Sequence, residues 1–468
     1  MKLTVLGGGG VRMPAFVRAV LAGGGNIFDE ISLFEPDPRR HHTTARLAVE
    51  VAGLLGQPGV VTVTADVEEA LSGANFVFSA IRVGGDQGRI IDEQVALERG
   101  LVGQETTGPG GGAMALRTIP VVLSYCEALA RCSPGAVLIN FTNPAGIITQ
   151  AVSEYSKVSV VGVCDTPNGT LEALGAFLGA EPAAVSFGYS GLNHLGWVTS
   201  FRVEGEERID ELTRRYDDLK RFDHRFAAFD SAMVRRVGAV PTEYLFYYYD
   251  AARYVEGVAR AGSSRGQDVL GLNDELLGGI ARAFERGDVE GAWATYSMLL
   301  GVRGDTYMQT DTEGDNQQAQ ARAQRATEAL PALERDKIGG YEGVALGVIT
   351  GLTSAGAGSQ PRGQVIVNTR NGTSVAFLEP DDVVEVPAVV DATGIHPLAA
   401  GELPRSARGL VTQMKEYERT LVEAAVTGDA GLAEVALSLH PLVPGISAAR
   451  DLLDDYRRRH GPYLAYLR

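Results

Sequence analysis

The feature that most constrains this chain is its opening. Residues 3–6 are an apolar strand, glycines follow at Gly7, Gly8, Gly9 and Gly10, and residues 14–21 have helical periodicity. A strand that turns on glycine into a helix is the βα unit of phosphate-binding sheets, whose backbone approaches a pyrophosphate at the helix N-terminus. The pattern then repeats. Residues 31–35, 60–64, 76–80, 137–140 and 158–163 are strand-like runs, and residues 116–132 and 145–155 are helical between them. Repeated βα units require a doubly wound parallel sheet. The expected fold is α/β, with a Rossmann-like N-terminal domain over residues 1–196. Residues 82–112 interrupt the alternation with a polar, glycine-rich stretch, which reads as a long loop whose glycines admit a ligand.

Beyond residue 196 the texture changes. Residues 209–229 are a charged helical region, 342–352 an apolar helix, and 407–426, 430–439 and 448–459 terminal helices. Residues 365–369 and 383–386 read as antiparallel strands. Residues 304–326 are polar and weakly patterned, and a Gly/Ser loop runs to residue 363. The second domain, residues 197–468, is expected to be α+β and mostly helical. A Rossmann-like first domain followed by such a second domain resembles the arrangement of lactate and malate dehydrogenases, which implies that the second domain carries substrate binding and oligomerisation.

At 468 residues the chain exceeds what one core organises. Its formal net charge of −16 argues against nucleic acid or an anionic membrane as partner, because such binders carry basic surfaces. An anionic substrate would need a local basic pocket. Three cysteines are too few for a disulfide framework and fit a reducing, cytoplasmic compartment. No apolar run approaches the length of a membrane span.

Two candidate sites stand out. The first is the turn Gly7, Gly8, Gly9, Gly10, Val11, Arg12, with Glu35 at the end of the second strand, where an acid binds ribose hydroxyls. Arg12 stands where the fingerprint has its third glycine, so a plain glycine turn is the other reading. Arg39 and Arg40 leave NADP open beside NAD. The second is Cys164-Asp165 at the end of the 158–163 strand, with His194 in Gly191-Leu192-Asn193-His194-Leu195-Gly196. Thiolate and imidazole suit a first-row divalent metal, and two protein ligands leave room for substrate in the shell. A buried free cysteine and a core histidine are the plain alternative. Tyr244, Tyr247, Tyr248 and Tyr249 cluster after Pro241 and read either as core or as a source of a base.

Three motifs turn these pieces into a resemblance. They are Asn140-Phe141-Thr142-Asn143-Pro144-Ala145-Gly146, Gly103-Gln104-Glu105-Thr106-Thr107-Gly108-Pro109-Gly110-Gly111 and the His194 segment. With Val367-Asn368-Thr369-Arg370-Asn371-Gly372 and Asp382-Val383-Val384-Glu385-Val386-Pro387, the chain resembles glycoside hydrolase family 4, the NAD- and divalent-metal-dependent glycosidases. The 6-phospho-β-glucosidase branch is the most similar. The resemblance implies hydrolysis of a phosphorylated disaccharide or aryl 6-phosphoglycoside to glucose 6-phosphate and an aglycone. The route is NAD-dependent oxidation at C3, deprotonation at C2, elimination, water addition and re-reduction. It implies Cys164 and His194 as ligands of Mn²⁺ or another divalent metal, Tyr244 as base, and Glu105 as its acidic support. Arg89, Asn143 and Arg265 would bind substrate, with the arginines on the phosphate. Asp165 matches the proton donor of α-acting members, where many β-acting ones carry Asn. A 6-phospho-α-glucosidase, or another family 4 glycosidase, is therefore the alternative. A homodimer or homotetramer is expected. A 2-hydroxy-acid dehydrogenase and a non-catalytic NAD-binding sensor are the rival readings.

Overall fold

The computed structural model describes residues 1–23, 27–306, 340–353 and 364–468. The sequence readings on most of 304–326 and on the Gly/Ser loop up to 363 lie outside the described residues. Among the described residues the strands are β1 Lys2–Leu6, β2 Glu30–Phe34, β3 Val61–Thr64, β4 Phe76–Ser79, β5 Val137–Asn140, β6 Ser159–Gly162, β7 Val185–Leu192, β8 Leu195–Val203, β9 Glu206–Glu207, β10 Val240–Pro241, β11 Val365–Arg370, β12 Val383–Asp391 and β13 Gly394–Pro397. All belong to one sheet, in the order β10-β8-β7-β12-β11-β6-β5-β4-β1-β2-β3, with β9 paired to β8 and β13 to β12.

The half from β3 to β6 is parallel, in the doubly wound order that places a crevice where the strand order reverses, between β1 and β4. Leu3 and Val5 of β1 are fully buried, as a strand covered on both faces requires. The other half is antiparallel. β11 pairs with β6 through Asn368 and Gly162, and β12 runs between β11 and β7. The expected boundary at residue 196 falls inside β8, and the sheet continues across it. Strands of the second half thus extend the first-half sheet, and the metal candidates lie within it.

Helices cover both faces. Helix Met13–Gly23 and helix Gly340–Thr353 pack on one face, where Phe16, Phe78, Phe141 and Tyr341 form a stack. Helices Pro109–Cys132, Ala145–Tyr155 and Arg405–Thr427 cover the other. The hairpin of helices Arg265–Glu285 and Val289–Asp305 buries Leu276, Ile280 and Tyr296 against Leu47 and Val51. Helix Pro109–Cys132 is long and apolar enough to cross a membrane by length and composition, contrary to the sequence reading. However, 61% of its apolar window is buried in the protein, as a core helix requires.

Residues 82–112 are not one loop. They contain helix Gly85–Leu97, and helix Pro109–Cys132 starts early enough to include Gly110, Gly111 and Gly112. Several of these glycines serve close packing rather than ligand access. A Cβ on Gly111 would lie 2.3 Å from the Thr106 carbonyl oxygen, and one on Gly103 the same distance from that of Glu93. Residues 209–229 likewise break into short pieces, Ile209–Arg214, Tyr216–Phe222 and the 3₁₀ turn His224–Phe226. Asp223 caps the last by accepting from the Arg225 amide.

Candidate active site

A cleft of about 920 Å³ opens at the C-terminal ends of β1, β2, β4, β5 and β6. Gly7, Gly10, Val11, Arg12, Glu35, Arg89, Glu105, Asn143, Cys164, Asp165, His194, Tyr244 and Arg265 all line it. Of the residues the sequence assigned to catalysis, cofactor, substrate or metal, only Gly8 and Gly9 do not, because they face protein. A Cβ on Gly8 would lie 2.5 Å from that of Leu33, and one on Gly9 2.6 Å from a Glu35 carboxylate oxygen.

The glycine turn is built by β2. The Gly7 and Gly8 amides both donate to the Phe34 carbonyl, at 3.2 and 2.9 Å. Gly7 has φ 83°, where a side chain is strained, and a Cβ there would press on the Ala80 carbonyl at 2.8 Å. The Glu35 carboxylate accepts from the Gly9 amide at 2.9 Å and from the Asp37 amide at 2.9 Å, so it also fixes the turn. Burial pushes its carboxyl up, and those two amides and Arg40 oppose the shift. Arg39 pairs with Asp274 at 2.5 Å and does not line the cleft, whereas Arg40 does and pairs with Asp86 at 3.0 Å.

Cys164 follows β6 and is buried. Burial raises its thiol well above the ordinary range, and the carboxylates of Glu385 and Asp165 add to this. His194 sits in the tight turn joining β7 to β8 with φ 60°, unusual for a residue with a side chain. That turn is held from outside. Glu385 on β12 accepts from Asn193 at 3.0 Å, from Asn368 at 3.0 Å and from the Tyr189 hydroxyl at 2.6 Å. Three of the sequence motifs therefore converge on one carboxylate.

The ring of His194 is fixed twice. Its Nδ1 lies 3.0 Å from the Thr106 hydroxyl, which is itself held by the Gln104 side chain at 2.9 Å. Its face stacks on Tyr244, with ring centroids 3.6 Å apart and planes 3° from parallel. Burial lowers its pKa to about 4, against the opposing pull of Asp165 and Glu105, so the imidazole is neutral at neutral pH. Tyr244 is placed by β10, which pairs with β8 and runs into the 3₁₀ turn Glu243–Leu245.

Among the described residues no three His, Cys, Asp or Glu side chains group closely enough to hold a metal unaided. Cys164 and His194 nevertheless fit one as a partial shell. The imidazole is neutral, its Nδ1 is already engaged, and the carboxylates that raise the thiol would favour a cation in the proton's place.

Several arginines line the same cleft. Glu105 contacts Arg82 at 2.7 Å and Arg89 at 3.2 Å. Burial alone would raise its carboxyl, but Arg82, Arg89 and Arg303 outweigh that and bring it to about 2. Arg303 is lowered to about 9, by burial and then by repulsion from Arg12, Arg89 and Arg82. Arg265 begins its helix and donates to the Thr306 hydroxyl and the Arg303 carbonyl, both at 2.8 Å. Such a cluster favours an anion despite the acidic protein around it.

Residues 2–180 match the model of the family 4 glycosyl hydrolases, and residues 189–443 match the model of that family's C-terminal domain. The chain belongs to glycoside hydrolase family 4. Family 4 relatives resemble it along their whole length. A probable 6-phospho-β-glucosidase of Bacillus subtilis is 30% identical, over 99% of this chain and 97% of its own. A maltose-6'-phosphate glucosidase of Fusobacterium mortiferum is 25% identical over 100% of this chain and 99% of its own. The crystal structure of the Thermotoga maritima 6-phospho-β-glucosidase with manganese, NAD⁺ and glucose-6-phosphate has a TM-score of 0.78 and 26% identity, covering 99% of each chain. Membership in family 4 sets aside the hydroxy-acid dehydrogenase reading.

The sequence reading assigned nothing to Arg82, Gln104, Thr106, Arg303 or Glu385. Gln104, Thr106 and Glu385 lay inside motifs already singled out, so a signal existed. Arg82 and Arg303 are isolated charges that only tertiary folding brings to the cleft.

Proposed function

We propose that this family 4 enzyme hydrolyses 6-phospho-β-glucosides to glucose 6-phosphate and an aglycone, with NAD and Mn²⁺ or another divalent metal as cofactors. The observation that carries the reading is the convergence in one cleft of the glycine turn, Cys164 with His194, Tyr244 stacked on that histidine, and the arginine wall. The relatives named for 6-phosphoglucosides support it. When bound, the nicotinamide supplies reversible oxidation of a sugar carbon and the divalent cation supplies Lewis-acid polarisation.

The chain's own residues do the rest. The glycine turn, closed by Glu35, seats the pyrophosphate at the N-terminus of helix Met13–Gly23. Cys164 and Nε2 of His194 would hold the cation. Thr106 and the Tyr244 ring keep the imidazole from rotating. The Tyr244 oxygen, as the phenolate, takes the C2 proton and becomes the hydroxyl, and Glu105 orders the charges around it. Arg89 and Arg265 bind the 6-phosphate, with Asn143 on the sugar.

Asp165 supports a second reading, action on α-glucosides. It lines the cleft beside Cys164, where α-acting members carry their acid, and the F. mortiferum relative is named for an α-linked sugar phosphate. A hydrolysis screen decides between them. p-Nitrophenyl α- and β-glucosides, with and without the 6-phosphate, are assayed with NAD⁺, Mn²⁺ and a reductant. Cleavage of the β-6-phosphate alone is expected. Cleavage of the α-6-phosphate alone would establish the second reading, and inactivity on both aryl phosphates and on 6'-phosphorylated disaccharides of either configuration would refute the function.

We further propose a cytoplasmic homodimer or homotetramer. Cys126, Cys132 and Cys164 are free thiols, as a reducing compartment allows. Val435 and Ile446 expose apolar side chains on the C-terminal helices, as an interface would use.

A further inference from the structure

One corner of the cleft, beside Asp165, is otherwise used by none of these roles. It is built where three elements meet: the start of helix Thr166–Leu178, the 3₁₀ turn His224–Phe226, and the 3₁₀ turn Glu243–Leu245. Its lining is Asp165, Thr166, Gly169, His224, Arg225 and Glu243. None of these is an aliphatic or aromatic hydrocarbon side chain.

The corner is well built. Glu243 is 8% exposed and lies 3.4 Å from the Thr166 hydroxyl. Arg225 is oriented by Asp223, which accepts from its Nε and its backbone amide, both at 3.0 Å. Its guanidinium lies along the open side of Gly169, where a Cβ would come within 2.7 Å of Nη1. Glycine there makes room for the arginine. Asp165 and Arg225 keep side-chain exposures of 40% and 27%; one Asp165 oxygen lies 3.5 Å from Arg12 of the glycine turn, and the rest of its carboxylate and the Arg225 guanidinium face the cleft.

Its position follows from the sheet order. The glycine turn comes from β1, Cys164 from the end of β6, His194 from the β7–β8 turn, and Glu243 from the residues after β10. The arginines proposed for the phosphate, Arg89 and Arg265, come from other elements, helices Gly85–Leu97 and Arg265–Glu285. A sugar held over Cys164 and His194 therefore meets the cofactor from one set of elements and these arginines from another. The polar corner is what remains for the group attached at its anomeric carbon.

We propose that this corner seats the leaving group and takes a hydroxylated, sugar-like aglycone in preference to an aromatic one. The inference rests on the 6-phosphoglycosidase reading. Two carboxyl groups, a hydroxyl and a guanidinium supply the mixed acceptors and donors that vicinal sugar hydroxyls need. An aromatic ring would cover the same groups without pairing them, and a site built to hydrogen-bond hydroxyls discriminates against ligands lacking them.

The test compares two substrates sharing one 6-phosphoglucosyl unit and one anomeric configuration. One is a 6'-phosphorylated disaccharide and the other a p-nitrophenyl 6-phosphoglucoside. Their kcat/KM values are measured for the wild-type holoenzyme, Arg225→Ala, Arg225→Lys and Glu243→Gln. In Arg225→Ala the disaccharide value should fall about tenfold or more, while the aryl value stays within about twofold. Retained aryl turnover then shows that the variant is folded. Arg225→Lys should recover part of the loss, and Glu243→Gln should shift the ratio in the same direction. A ratio unchanged in Arg225→Ala and in Glu243→Gln, or a wild-type enzyme that cleaves the aryl compound and not the disaccharide, overturns the inference alone. A wild type inactive on both compounds, in either configuration, overturns the function on which it rests.

Discussion

Replacing Glu105 by glutamine removes the negative charge that holds the arginine wall together while keeping the side chain's shape. Its carboxyl sits at about 2 rather than the ordinary 4.5, because Arg82, Arg89 and Arg303 outweigh the cost of burial. Each tenfold change in proton affinity corresponds to about 1.4 kcal/mol, so the ionised form is favoured on folding by about 3 kcal/mol. The side chain is 15% exposed, which leaves solvent screening a small correction. The sign follows from a depressed carboxylate. Its contribution is complete above the unfolded pKa near 4.5 and is lost as pH falls toward 2. Urea unfolding of wild type and Glu105→Gln should therefore differ by about 3 kcal/mol at pH 7, and the difference should shrink steadily from pH 4.5 to pH 2.5. Added inorganic phosphate should restore part of the variant's stability, since an anion would replace the lost charge. Equal stability at pH 7, or a difference independent of pH, would refute the electrostatic reasoning.

Arg89→Ala or Arg265→Ala should raise KM for a 6-phosphorylated glycoside at least tenfold more than for its non-phosphorylated analogue, and equal effects would remove these arginines from the phosphate seat. Chelation or Cys164→Ser should abolish turnover, and calorimetric titration with Mn²⁺ should show binding lost in Cys164→Ser. Full activity after metal removal verified by elemental analysis would contradict the metal assignment. Gly9→Ala should weaken NAD⁺ binding about tenfold, because the new methyl meets Glu35 and Arg40 at 2.6 and 2.7 Å. Unchanged NAD⁺ affinity would mean that the turn relaxes freely.

The parallel half of the fold was legible because each strand is a short β-branched run followed by a turn and a helix, a local signal that survives in one dimension. The sheet's continuation was not. Pairing of β11 with β6, and of β12 with β7, joins residues about two hundred positions apart and leaves no periodic trace. The 82–112 stretch misled for a physical reason. Glycine looks like a loop signal, yet Gly103, Gly110 and Gly111 are small so that backbones can touch. That Cys164, His194 and Tyr244 share one cleft was legible through their motifs. The Gln104–Thr106–His194 chain and the Glu385 anchor were not, although their residues lay inside quoted motifs. Their roles are contacts to other segments, and a motif shows identity without showing partner.

The central claim is that Tyr244 removes the proton at C2 of a sugar oxidised at C3. The direct measurement is turnover of a 6-phosphoglycoside in D₂O, followed by NMR of the released sugar phosphate. Deuterium at C2 is expected from the wild type, and Tyr244→Phe should lose both cleavage and exchange while NAD⁺ and Mn²⁺ binding persist. Product that retains its original C2 hydrogen would contradict the mechanism, whatever the rate of cleavage.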